Sequence, residues 1–244
     1  METAAKKGLT GNQIKWIAIL TMLIDHIAWA FVPFGTAAGQ SMHVIGRITA
    51  PVMCFFIAEG YAHTRNVGKY ALRLGVFALI SQIPFTYFET GHLQFLSLGN
   101  KSAGFNVIYT LLLSLAAVWA WDSIQRKGLR VLAVAGLCLL AVPGDWMFID
   151  VIFALVFWVN RDRFRDQAAW FSVFAACTVI FCCVGTAIAG GHFYSQLFQA
   201  GLFLCLPVLS RYNGERGGTP NSKWAFYIFY PAHLLVLGFL KYGF

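Results

Sequence analysis

Charge is scarce in this chain. Only 11% of its 244 residues are Asp, Glu, Lys or Arg, and 59% are hydrophobic. A soluble domain carries about 25% charged residues. No polar stretch is longer than 211–223, RYNGERGGTPNSK, and its Gly, Asn and Pro residues read as a structured turn or loop. A soluble domain or a long linker therefore has no place, and 1–244 reads as one domain. Several chemistries are excluded by missing motifs. There is no G-x-x-x-x-G-K for a P-loop and no H-E-x-x-H for a zincin-type protease. Neither G-x-S-x-G nor S-x-x-K is present to supply a serine nucleophile. C-x-x-C is absent too, and no metal is predicted. All six cysteines lie in apolar segments, where free Cys packs as a small hydrophobe. There is no aromatic-basic platform of the kind that holds single-stranded nucleic acid.

What the chain has is long apolar runs. A membrane-crossing helix needs about 20 apolar residues. Runs that could cross lie near 15–34, 43–63, 69–88, 104–121, 129–142, 146–160, 168–189, 194–210 and 224–241. The expected fold is all-α, a polytopic integral membrane helical bundle of about nine transmembrane helices. The fifth and sixth runs are short; as a re-entrant hairpin they would leave about seven. The first run lacks a small-residue cleavage site and is too long for a signal core, so it is expected to stay as an anchor. The loop 89–104 is the longest on its side, and its Phe95, Leu96 and Leu98 are expected to pack on the protein.

The net charge of +8 has an orderly distribution. Of 18 basic residues, 15 fall on every second connection: Lys6, Lys7 and Lys15 first, then groups at 65–73, 126–130, 161–165 and 211–223. Lys101 and Lys241 lie on the other side, and Arg47 is inside a run. By the positive-inside rule the N-terminus is expected in the cytoplasm and the C-terminus outside. Membrane topology explains this charge, and nucleic acid is not an expected partner.

The runs also contain what a membrane disfavours. Asp25 and His26 sit in the first, Arg47 and Glu59 in the second, Arg73 in the third, Asp150 in a later one and His233 in the last. A charge at mid-membrane costs about 3 kcal/mol or more and reads as functional by default. Such a set suits a proton-coupled transporter or flippase. It equally suits an acid–base catalyst whose substrate brings its own activation. Internal repeats, which the first reading would favour, are not visible. A non-enzymatic membrane assembly factor is the third reading, and it leaves these charges idle.

Several motifs carry a resemblance. They are IKWIAILTMLIDHIA at 14–28, IGRITAPVMCFFIAEGYAHTRNVGKYALR at 45–73, LISQIPF at 79–85, FNVIYTLLL at 105–113, GDW at 144–146, YNGERGG at 212–218 and KWAFYIFYPAHLLVL at 223–237. In this order they resemble the TraX family, named for a conjugation protein that acetylates pilin. They are also similar to the wider superfamily of membrane acyltransferases at His26, Phe55–Gly60, Arg73 and Tyr230–His233. The resemblance implies transfer of an acetyl or other short acyl group from cytoplasmic acyl-coenzyme A, with acetyl-CoA as co-substrate. The acceptor would be an amine or hydroxyl at or beyond the bacterial inner membrane. It would be a pilin N-terminus if the likeness extends that far, though nothing in the sequence fixes it.

Roles follow for single residues. An attacking amine or hydroxyl must lose a proton, and a histidine suits that task. His26 is the expected general base and His233 the second candidate. Asp25 points about 100° away from His26 on a helix; it is expected to meet a cation on another span, with Arg47 a candidate. Arg47 and Glu59 differ in height by roughly 18 Å and are not expected to pair. Glu59 and His63 share a face, as an ion pair or as part of a substrate site. Asn106 and Tyr230 are further substrate-binding candidates. Arg65, Lys69 and Arg73 are expected to take the phosphates of coenzyme A, because guanidinium groups suit bidentate phosphate binding. For Lys69, and for Arg161–Arg165, ordinary positive-inside anchoring is the better account, but Arg73 lies too deep for it.

Overall fold

The structure is a computed structural model that describes residues 7–96, 104–219 and 222–243. Lys6, Leu98 and Lys101 lie outside the described residues. The helices are α1 (Gly11–Phe31), α2 (Ala37–Gly46), α3 (Thr49–His63), α4 (Val67–Thr90), α5 (Val107–Ser123), α6 (Lys127–Ala141), α7 (Ile149–Val159), α8 (Phe164–Ile188), a 3₁₀ helix (Phe193–Leu204), α9 (Cys205–Leu209) and α10 (Ser222–Tyr242). Among the described residues there is no strand, only two isolated bridges. Five stretches are long and apolar enough to cross a membrane: α1, α2 continued by α3, α4, α8 and most of α10. The protein is a helical membrane protein.

Helix ends follow local chemistry. Thr10 caps α1 through a capping box with Gln13, which satisfies amides that have no partner within the helix. The amides of Gly11 and Asn12 donate to the carbonyls of Glu215 and Arg216, both at 2.8 Å. The loop 211–218 is thereby tied to the start of α1. The second apolar run does not form one straight helix; it breaks at Arg47–Ile48. Pro51, which has no N–H, stands four residues after Arg47 and cannot donate to its carbonyl. The break places Arg47 at the junction of α2 and α3.

α7 packs between α3 and α5, α10 lies along α4, and α1 touches α2, α3 and α10. The shared core is aromatic, with Phe88, Phe153, Phe157 and Phe171 fully buried. α6 and α8 are peripheral and bury few side chains. Phe95 and Leu96 are 42% and 41% exposed, so this part of the 89–104 loop is only half covered. The six cysteines are free.

Candidate functional site

A cavity of about 880 Å³ follows α1 from Gly11 to Trp29, and α4 from Tyr70 to Glu89. Eighteen residues of helix rise roughly 27 Å, so the cavity runs most of the height of the bundle. One end is basic, with Lys15, Arg73 and Arg216 in its wall; the other carries Glu89, Asp145, Trp146 and Gln199.

His26 meets His233 toward the acidic end. Nδ1 of His26 lies 3.0 Å from Nε2 of His233, and Nδ1 of His233 lies 2.8 Å from the Phe229 carbonyl oxygen. A carbonyl accepts only, so His233 carries its proton on Nδ1 and leaves Nε2 as an acceptor. His26 must then donate from Nδ1, and its remaining lone pair is on Nε2. His26 lines the cavity. The two candidates read as alternatives in the sequence thus form one chain of hydrogen bonds, with a basic nitrogen at its cavity end. Phe88 packs edge-on against His26 with ring centres 5.4 Å apart.

Asp25, next in sequence, turns elsewhere. It accepts from Nη2 of Arg47 and, at 2.8 Å, from Nδ1 of His43. Gly46 makes this contact possible, because a Cβ there would stand 2.3 Å from the Asp25 side chain. His43 is fully buried against Trp29, Phe34 and Phe198. Asp25 and Arg47 both line the cavity.

At the basic end, Arg73 donates from Nε to the Tyr227 hydroxyl at 3.0 Å and stacks over the Tyr70 and Tyr227 rings. Lys15 sits over Phe56, 4.6 Å from the ring centre. The loop tied to α1 brings Arg216 to the same mouth. Glu59 and His63 are here as well. The Tyr212 hydroxyl donates to Glu59 Oε2 at 3.3 Å, while His63 Nδ1 donates to the Glu59 carbonyl oxygen at 2.9 Å. Burial and the Glu59 carboxylate push the Tyr212 phenol up to about 12, so it remains a donor at neutral pH.

The other predicted site residues divide. Tyr230 is 5% exposed and lines the cavity beside His233. Arg65 and Lys69 do not line it; both are exposed. Asn66 caps α4 by accepting from the Lys69 amide, which starts the helix with these two side chains turned outward. Asn106 does not line the cavity either. It caps α5, and its amide group bonds the Ala78 carbonyl and Gln82, both at 2.8 Å. Its polar atoms are occupied in joining α4 to α5. His43, Lys15 and Arg216, and Glu89, Asp145 and Gln199 at the acidic end, are among the site residues that sequence reasoning missed as such. His43 carried a usable signal, since it is four residues before Arg47 on the same apolar run. For Lys15 and Arg216 the facing depends on the loop contact.

Among the described residues no group of three or more His, Cys, Asp or Glu could hold a metal ion. The donor set offers acid–base groups, a guanidinium and cations for an anionic ligand. A probable fimbrial assembly protein, FimC of serogroup H1, from Dichelobacter nodosus is 31% identical over 232 residues, which cover 92% of this chain and 93% of that protein. No solved structure matches. The model of the TraX protein family matches residues 10–241, from the cap of α1 to the last turn of α10, and with them every cavity element described above; the chain belongs to the TraX family.

Proposed function

We propose that this protein is a membrane-embedded acyltransferase, moving an acetyl or other short acyl group from a coenzyme A thioester to an amine or hydroxyl acceptor. One observation carries the reading: a histidine pair with a free Nε2 on a cavity that ends in three cations. Lys15 and His26 are eleven residues apart on α1, roughly 16 Å. With its phosphates at Lys15, Arg73 and Arg216, a coenzyme A thioester can extend its pantetheine arm toward His26. Nε2 of His26 takes the acceptor's proton as it attacks. His26 can share the resulting charge with His233 through their hydrogen bond.

Orientation belongs to the same proposal. With nine crossings and the basic loops inside, the basic mouth opens to the cytoplasm and the acidic end faces outward, where an envelope acceptor waits. The relative with a fimbrial assembly name supports a pilin-type acceptor. A C-terminal alkaline phosphatase fusion should be active and a green fluorescent fusion there dark; the opposite pattern overturns the orientation.

The length of the cavity is the feature that favours the transporter reading. Purified protein supplied with labelled acetyl-coenzyme A separates the two. Label transfer to an amine, or slow thioester hydrolysis, is expected. Uptake by proteoliposomes without either reaction would point to transport.

A further inference from the structure

Arg47 has a feature that its pairing with Asp25 does not explain. Arg47 is 9% exposed, and among the described residues its Nε is a buried donor without an acceptor. A buried donor left unmade costs stability, and a guanidinium is a rigid fork of five donors. A purely structural Arg would be expected to spend them. Here Nη2 is spent on Asp25, and the plane is packed by Trp146 and Phe198, whose ring centres lie 5.0 and 5.2 Å from Cζ. Nε is itself buried and stays unpaired, on a side chain that lines the same cavity as His26.

Resting on the acyltransferase reading, we propose that Arg47 donates the hydrogen bond that receives the developing oxyanion, and that Asp25 and His43 are positioning residues that hold it there. The acceptor's lone pair forms a bond to the thioester carbonyl carbon, and the C=O π pair moves onto oxygen. That oxygen accepts from Nε–H of Arg47 while Nε2 of His26 takes the acceptor's proton. The oxyanion pair then re-forms C=O, the C–S bond breaks, and the thiolate leaves with the proton held by His26. Such a donor acts only if it is fixed before the reaction. The fixing is visible: Asp25 is gripped from a second side by His43, whose ring has no freedom between three aromatic side chains.

The test measures acetyl transfer from acetyl-coenzyme A to a small primary amine, with donor binding as the check of folding. The double variant Asp25→Asn/Arg47→Ala removes both charges together, so no lone charge is buried. Its kcat should fall on the order of 100-fold to 1000-fold, with KM for acetyl-coenzyme A nearly unchanged. Added guanidinium ion at sub-denaturing concentration should restore part of it. Arg47→Lys keeps the charge but not the fork, should lose kcat likewise, and keeps the test open if the double variant does not fold. For positioning, His43→Leu should lose kcat, whereas His43→Asn, whose amide can donate to Asp25 in place of Nδ1, should recover most of it. A folded double variant or Arg47→Lys with wild-type kcat overturns the assignment. A change in KM alone makes Arg47 a binding residue and overturns it as well. If the wild type transfers nothing, the acyltransferase reading fails first; if it does and the variants match it, only this inference fails.

Discussion

Asp25 and Asp150 are both carboxylates within apolar helices, 7% and 0% exposed. From the sequence they are equal violations of the membrane rule. Their surroundings differ in kind. Asp25 has a guanidinium and an imidazole as partners and stands in the cavity wall. Asp150 accepts from the Thr110 hydroxyl at 2.7 Å and from the Cys54 thiol at 3.5 Å, joining α7 to α5 and α3, and it does not line the cavity. Burial of a polar group in a membrane protein has two uses, then. One pins helices together; the other arms a cavity. Partner chemistry and cavity access separate them, and depth does not.

The largest expected effect is at the residue that the cavity side of this comparison exists to serve. A general base contributes roughly 100-fold to 10,000-fold in rate, so His26→Ala should abolish detectable transfer while donor binding persists. His233→Ala should cost less, because it removes the partner that fixes the His26 tautomer and leaves the base itself. If His233→Ala proves the more damaging of the two, the base is on α10 and the proton order along the pair is reversed. The pH profile has a definite sign. Only a neutral ring can accept the acceptor's proton, so turnover should rise with pH until the pair is deprotonated. A rate that falls as the pair is deprotonated would remove histidine base catalysis.

Asp25→Asn against Asp150→Asn tests the comparison directly. The first removes the anion that holds Arg47 and should lower turnover at least about tenfold, less than the loss of about 100-fold or more expected when the donor itself is removed. The second keeps an acceptor for Thr110 and should leave turnover within about twofold. Asp150→Ala removes the tie between α7 and α5 and leaves the Thr110 hydroxyl only the Val107 carbonyl of its own helix end, 2.8 Å away, at a cost of about 1 kcal/mol, to be read as a lower melting temperature in detergent. Equal loss of turnover in both Asn variants would dissolve the distinction between pin and cavity group.

Much of this was legible in the sequence because a membrane makes polarity costly. The apolar runs marked the helices, and Asp25, His26, Arg47, Arg73 and His233 stood out within them. Three features were not legible, each for a physical reason. The second run reads as continuous; its break depends on a hydrogen bond that Pro51 cannot make. Asn106 has the composition of a site residue, yet its amide is consumed by Gln82 and Ala78, a pairing between helices that no periodicity encodes. The make-up of the basic mouth depends on where α4 begins and on a loop. Arg65, Lys69 and Arg73 cluster in sequence, but Arg65 precedes α4 and Lys69 stands in its exposed first turn, and only Arg73, one turn further in, reaches the cavity wall. Lys15 and Arg216 are 201 positions apart and meet at this mouth because the amides of Gly11 and Asn12 bond the loop.

The smallest effects should fall at that mouth, and they compare its true members with its sequence neighbours. Arg73 stacks on Tyr70 and Tyr227 in the cavity wall. Arg73→Ala should weaken acetyl-coenzyme A binding by at least about 1.5 kcal/mol, the scale of a hydrogen bond to a charged group. Lys69 carries the same charge four residues earlier but is exposed and outside the cavity. An exposed charge interacts across water and salt for roughly 0–1 kcal/mol, so Lys69→Ala and Arg65→Ala should shift donor affinity by less than about 0.5 kcal/mol, and that remnant should vanish at high ionic strength. Titration of the three variants by isothermal calorimetry at low and high salt reads this directly. Equal, salt-sensitive losses in all three would mean that the phosphates are held by a diffuse surface field. A loss confined to Arg73 that survives salt would place them inside the mouth, on the path to His26.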